Sequence, residues 1–299
     1  MQTIEKIGEF GLIERFRKRI KTDPSVVKGS GDDCAVLKSG KNTYQLLTCD
    51  ALVDGVDFST RDDPFLVGRK AVAVSVSDIA ACAGIPRYAL VTLGLPRSTE
   101  VGFIDRLYRG MQKALKRYSI NLIGGDLTRS KQLMISVTIV GSVRKKRLVL
   151  RRGAKPGDII FVTGSLGGSI RGKHLRFTPR IKEAQKLTGN FKLNSMIDIS
   201  DGLVQDLENI LKESERGAVI YEELIPKAKE AHNFKEALFM GEDFELLFTL
   251  SRREAKKLMK NKGYNCTPIG EIADQEYGFR LIDRRGRESI VRPQGFRHF

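Results

Sequence analysis

Six times the chain ends an apolar stretch in an acidic residue beside glycine, serine or threonine: Gly31-Asp32-Asp33, Thr48-Cys49-Asp50, Ser75-Val76-Ser77-Asp78, Gly124-Gly125-Asp126, Asp198-Ile199-Ser200-Asp201 and Gly241-Glu242-Asp243. Carboxylates at the tips of core strands and helices are rigid oxygen donors, which suit a hard cation such as Mg²⁺. Neighbouring glycines let backbone amides approach phosphate oxygens closely. One such motif is an ordinary turn or helix N-cap. Six of them in a chain with 52 Lys and Arg against 36 Asp and Glu, net +16, describe a receptacle for a polyphosphate bridged by metal. The positive field draws the anion in, and the cations neutralise it where the carboxylates gather.

The rest of the composition excludes alternatives. A 299-residue chain with 41% hydrophobic residues can bury a sizeable core and suits two modest domains. No stretch approaches about 18 uninterrupted apolar residues, and the first residues lack a basic-then-apolar leader. The sequence therefore predicts a cytoplasmic protein without a membrane span. Cys34, Cys49, Cys82 and Cys266 form no C-x-x-C pair, and the three histidines form no H-E-x-x-H cluster. Reduced thiols are expected, and a zinc hydrolase is not. The P-loop, protein-kinase, G-x-G-x-x-G and G-x-S-x-G signatures are all missing. The basic run from Arg144 to Arg152 lacks interleaved aromatics, reads as a solvated linker, and argues against a nucleic-acid partner.

The pattern is α/β (α+β). Strands are predicted over 45–49, 87–95, 120–123 and 132–143, with helices over 65–83 and 99–118 and a turn at Gly124-Gly125-Asp126. The basic segment 144–157, ending in Gly153-Ala154-Lys155-Pro156-Gly157, marks a domain boundary. Beyond it follow a strand over 158–163, a strand–turn–helix unit around Ser195–Gly202 and a strand over 244–250. The expected domains are 1–143 and 144–299.

The motifs, together with Gly8-Glu9-Phe10-Gly11-Leu12-Ile13, Leu93-Gly94-Leu95-Pro96, Gly153–Asp158, Met196–Leu203, Gly241–Leu247 and the terminal Gly295-Phe296-Arg297-His298-Phe299, resemble the thiamine-monophosphate kinase family, in that family's order and from end to end. The resemblance implies a two-domain aminoimidazole ribonucleotide synthetase-like fold. An N-terminal sheet-plus-helices domain would bind ATP and Mg²⁺ and pair in a homodimer, and a C-terminal α/β domain would complete the substrate site. It implies transfer of the γ-phosphoryl of ATP to thiamine monophosphate, with several Mg²⁺ ions and ATP as co-substrate. Asp33, Thr48, Cys49, Asp50, Asp78, Asp126, Asp198 and Asp201 match metal-ligand positions, with Asp50, Asp126 and Asp201 as the catalytic set. Tyr108, Gly125, Asp126, Arg151 and Ser200 match nucleotide contacts, and Asp57, Glu242 and Phe296 match substrate-facing positions.

The chain departs from that family's pattern at Asp57 (usually His), Cys49 (usually Thr) and Ser75 (usually Asn), and in a shortened segment between Gly168 and His174. A thiol is a poor Mg²⁺ ligand. The departures at Asp57 and in the shortened segment fall on the acceptor side, so two alternatives stay open. One is the same ATP chemistry with another small phosphorylated or carboxylated acceptor. The other is a non-enzymatic nucleotide- or nucleic-acid-binding protein on the same scaffold.

Overall fold

The structure, a computed structural model, describes residues 3–294. Its first half contains α1 (Ile4–Arg17), β1 (Val26–Lys28), β2 (Ala35–Lys38), β3 (Thr43–Val53), α2 (Pro64–Ala81), β4 (Ile85–Leu95), α3 (Val101–Arg117), β5 (Asn121–Arg129) and β6 (Met134–Arg144). The strands form one sheet in the order β1-β2-β3-β6-β4-β5. The second half contains β7 (Ile159–Thr163), α4 (Lys173–Arg176), α5 (Ile181–Asn190), β8 (Leu193–Asp198), α6 (Leu203–Ser214), β9 (Gly217–Tyr221), α7 (Phe234–Phe239), β10 (Leu246–Leu250), α8 (Arg252–Met259), β11 (Cys266–Ala273), β12 (Phe279–Ile282) and β13 (Glu288–Ile290). These strands form a second sheet, β13-β12-β9-β11-β7-β10-β8.

Helix α2 is the element that positions the site. Asp63 caps it, its carboxylate accepting from the Phe65 amide at 3.0 Å, and Pro64 presets the first turn. Thirteen of its residues are buried, so it runs through the interior instead of lying on the surface. Two glycines set its distance from α3: a Cβ on Gly68 would stand 1.9 Å from the Leu107 carbonyl, and one on Gly110 would stand 1.9 Å from that of Phe65. The C-terminal half closes against the same helix, with Leu175, Phe177 and Phe244 joining the core built on α2 and the first sheet.

Two expectations fail here. Gly124-Gly125-Asp126 is not a turn but the middle of β5, which pairs in parallel with β4 through Leu90–Gly124, Val91–Gly125 and Thr92–Asp126. A Cβ at Gly125 would sit 1.9 Å from the Val91 carbonyl, so this strand needs glycine there for close approach. The basic run is not a free linker either. Val149 is buried, Leu148 and Leu150 pack against the core, and Arg151 is drawn into the acidic cluster described next.

Candidate functional site

Chain direction and sheet alternation bring four of the six motifs together. Asp33 precedes β2, after a tight turn in which Gly31 takes φ +100°. Thr48 shares the inward face of β3 with the buried Leu46 and Leu52, and Asp50 continues that alternation. Asp78 lies near the end of α2, and Asp198 ends β8. Carboxylate oxygens of Asp33, Asp78 and Asp198 lie within 4.8 Å of one another. Thr48 Oγ1 donates to Asp78, and Ser77 Oγ donates to Asp198. Arg151 closes one side, its Nη2 donating to Asp33 Oδ1 at 2.6 Å and its backbone amide to Asp32 at 3.2 Å.

So many carboxylates in so little water are electrostatically expensive. Burial pushes Asp198 up to about 8, with the Asp33 charge adding to the effect. Burial, and then the Asp33 charge, carry Asp32 to about 7. Asp33, Asp50 and Asp78 move upward for the same first reason, loss of solvent. Burial disfavours the Arg151 charge, but Asp33 and Asp32 outweigh it and hold the guanidinium protonated. One oxygen each of Asp33 and Asp50 is buried with no hydrogen-bond partner among the described residues. An all-oxygen donor set with orphaned buried carboxylate oxygens fits a hard divalent cation.

Beside this cluster opens a cleft of about 790 Å³. Asp50, Asp57, Ser200, Asp201 and Glu242 all line it, and so do Ile170 and His174 from the shortened segment. Asp57 lines the cleft, and its carboxylate accepts from the Val53 amide at 2.8 Å, which fixes the turn that follows β3. Glu242 adopts a left-handed backbone, φ +67°, unusual for a non-glycine residue and common where function holds strain. The Asp201 amide donates to Asp206, a buried residue of α6, at 3.0 Å.

Other expected residues stand apart. The Cys49 thiol faces away from Thr48 and Asp50, exposed on the other side of the sheet, where it meets Ser136 at 3.4 Å and Thr138 at 3.3 Å. That placement follows from strand alternation and does not bring the thiol into the carboxylate cluster. Gly125 and Asp126 lie on exposed β5, and Tyr108 is exposed on α3, outside the close carboxylate group. Phe296 lies outside the described residues.

Sequence reasoning missed Lys70. Its side chain is fully buried, and its ammonium donates to both Glu242 carboxylate oxygens and to the Asp57 carbonyl, each at 2.6 Å. The signal was present as the one charged residue in the buried run of α2, whose other polar members are Ser75 and Ser77.

Comparison with known proteins agrees with this architecture. Residues 31–143 match the N-terminal domain, and residues 155–282 the C-terminal domain, of AIR synthase related proteins. The chain is 38% identical to the thiamine-monophosphate kinase of Buchnera aphidicola subsp. Schizaphis graminum, over 98% of this chain and 99% of the relative. It is 33% identical to that of Bacillus subtilis, over 98% and 100%. Among solved structures it superposes on AaThiL complexed with AMPPCP and TMP with a TM-score of 0.88 and 32% identity, covering 100% of this chain and 99% of the other. The thiamine monophosphate kinase of Aquifex aeolicus gives 0.80 at 30% identity, covering 97% and 100%. The chain belongs to the thiamine-monophosphate kinase family of AIR synthase related proteins.

Proposed function

We propose that this chain transfers the γ-phosphoryl group of ATP to the phosphate of thiamine monophosphate, giving thiamine diphosphate and ADP. The carrying observation is the cluster of buried Asp33 and Asp198 with half-buried Asp78, opening beside a cleft lined by Asp50 and Asp201. A phosphate oxygen of the acceptor forms the new bond to phosphorus as the bond to the β-phosphate oxygen breaks, so the protein needs to supply position and charge, not a covalent nucleophile. Asp33, Thr48, Asp50, Asp78, Asp126, Asp198 and Asp201 would hold Mg²⁺; when bound, it neutralises charge on the phosphates. Asp50, Asp126 and Asp201 form the catalytic set. Tyr108, Gly125, Arg151 and Ser200 serve the nucleotide. Glu242, oriented by Lys70, serves the acceptor, with Asp57 shaping its wall, and Phe296 is assigned to the acceptor by the family resemblance alone.

Residues 1–143 and 144–299 act as the two domains. The first pairs with a second copy through β4 and β5, where Tyr88, Leu90, Ile123 and Leu127 are exposed apolar residues on neighbouring strands. Leu127→Asp is expected to convert a dimer to monomer in analytical ultracentrifugation. No helix among the described residues is long and apolar enough to cross a membrane. We place the protein in the cytoplasm because its co-substrate is ATP.

The deciding experiment incubates purified protein with ATP, Mg²⁺ and thiamine monophosphate and detects thiamine diphosphate by chromatography. Metal-dependent product is expected. ATP binding without product would favour a second reading, a different small phosphorylated acceptor. That reading rests on Asp57, Ile170 and His174, which put the chain's departures from the family pattern on the cleft wall.

A further inference from the structure

Two ligand sets in this molecule share Asp33. The first is the all-oxygen group with Asp78 and Asp198. The second joins Asp32, Asp33 and Cys82, whose ligand atoms also lie within 4.8 Å of one another. Cys82 Sγ stands 4.0 Å from Asp32 Oδ1, and the Cys34 thiol neighbours that of Cys82. Both thiols are at most 1% exposed, whereas Asp32 is only partly covered and offers the way in. The two sets differ in chemical softness. Carboxylates alone suit Mg²⁺; thiolate with carboxylates suits Zn²⁺ or Cd²⁺.

The residue that the two sets share carries the oxygen that points to a ligand. Arg151 occupies Asp33 Oδ1, but Asp33 Oδ2 is buried without a partner among the described residues. The Asp33 side chain is 1% exposed, so that oxygen is withdrawn from bulk solvent.

We propose that Asp32, Asp33 and Cys82, with the Cys34 thiol standing beside Cys82, form a second cation site selective for a thiophilic divalent ion. Its occupation draws Asp33 away from the oxygen cluster. Binding forms a sulfur–metal bond to Cys82 and releases its thiol proton to solvent, with no change of oxidation state. Loss of kinase turnover on occupation rests on the function proposed above; binding itself does not.

The test titrates Cd²⁺ into the full chain carrying Cys49→Ser and Cys266→Ser, in excess Mg²⁺, and follows the ultraviolet thiolate-to-cadmium charge-transfer band. The band is expected to saturate at one equivalent and to survive the Mg²⁺. Cys82→Ser is expected to abolish most of it, and Asp32→Asn to keep the band while weakening affinity about tenfold or more. Absence of the band, or a band unaltered by Cys82→Ser, overturns the site. Because Cys82 is in the core, cadmium NMR with both thiols intact supplies a second measurement. A resonance in the mixed sulfur–oxygen range supports the site, and one in the all-oxygen range overturns it. In parallel, Zn²⁺ is expected to inhibit thiamine diphosphate formation reversibly, with relief by chelator and resistance in Cys82→Ser. A saturated band with undiminished turnover overturns the sharing of Asp33 while leaving the proposed kinase function intact.

Discussion

Asp198 and Asp126 each belong to a motif of the same type, yet they stand in opposite surroundings. Asp198 is 3% exposed at the end of β8, among other carboxylates, and burial raises it to about 8. Asp126 is exposed on the edge strand β5, with its backbone opposite Thr92. A carboxylate in the first setting stays protonated or, once ionised, needs a counter-charge even before any substrate arrives. One in the second setting acts only on what reaches it. The contrast separates residues that create the demand for cations from residues that reach for the ligand.

Substitutions can break this comparison. Asp198→Asn is expected to lower turnover about a thousandfold, the scale of losing a well-placed electrostatic contact in a closed site. It is also expected to raise the thermal stability of the metal-free protein near pH 8, because one buried charge is gone. Asp126→Asn should reduce turnover severely while leaving stability unchanged. Equal stability effects in the two variants would dissolve the distinction. Next in size is Lys70→Met, which strands Glu242 beside the cleft. Breaking an ion pair with one fully buried partner is expected to cost about 3 kcal/mol in urea unfolding and to raise KM for the acceptor more than it lowers kcat.

A smaller effect follows from pH. Folded-state values of about 7 for Asp32 and about 8 for Asp198 stand above the ordinary 3.8, so the native state binds more protons than the unfolded chain across that interval. Their stabilising contribution is complete below about pH 4 and is lost as pH rises through about 7 to 8. The metal-free protein should therefore melt several degrees lower at about pH 8 than at about pH 5, and Mg²⁺ should restore more at the higher pH. Calorimetry at both values, with and without Mg²⁺, checks it; a metal effect independent of pH would show that the cluster titrates elsewhere. The smallest effect belongs to Asp57→His. It removes the acceptor for the Val53 amide and should cost about 1 kcal/mol of stability in denaturant, with turnover within about threefold of the parent.

The two kinds of acidic residue were not equally legible. The motifs mark every carboxylate of the cluster, because hard-ligand chemistry leaves a local trace of acid beside glycine or hydroxyl. Their burial leaves none, since it depends on β8 and α2 meeting across 120 residues of chain. Gly124-Gly125 reads locally as a turn, but pairing with β4 overrides that preference and makes it strand. Arg151 sits in a run of cations that suggests solvent, yet Asp33 holds it inside. Cys34 and Cys82 share no short spacing motif, so only the folded chain brings the thiols together. Lys70 was hidden by its neighbours, because an apolar helix face gives no hint of which polar group waits on the far side of a cleft.

The interlocked glycines of α2 and α3 have a mechanical corollary. Lys70 and Asp78 lie on one buried helix, separated by about 12 Å at 1.5 Å per residue. Gly68 and Gly110 clamp that helix backbone to backbone, leaving it no slack to rotate. The helix works as a ruler, holding the acceptor-side lysine and the cation-side aspartate at one spacing. A larger side chain at Gly68 would shift both graduations at once, so lesions at the two ends should register as a single event rather than as two independent ones.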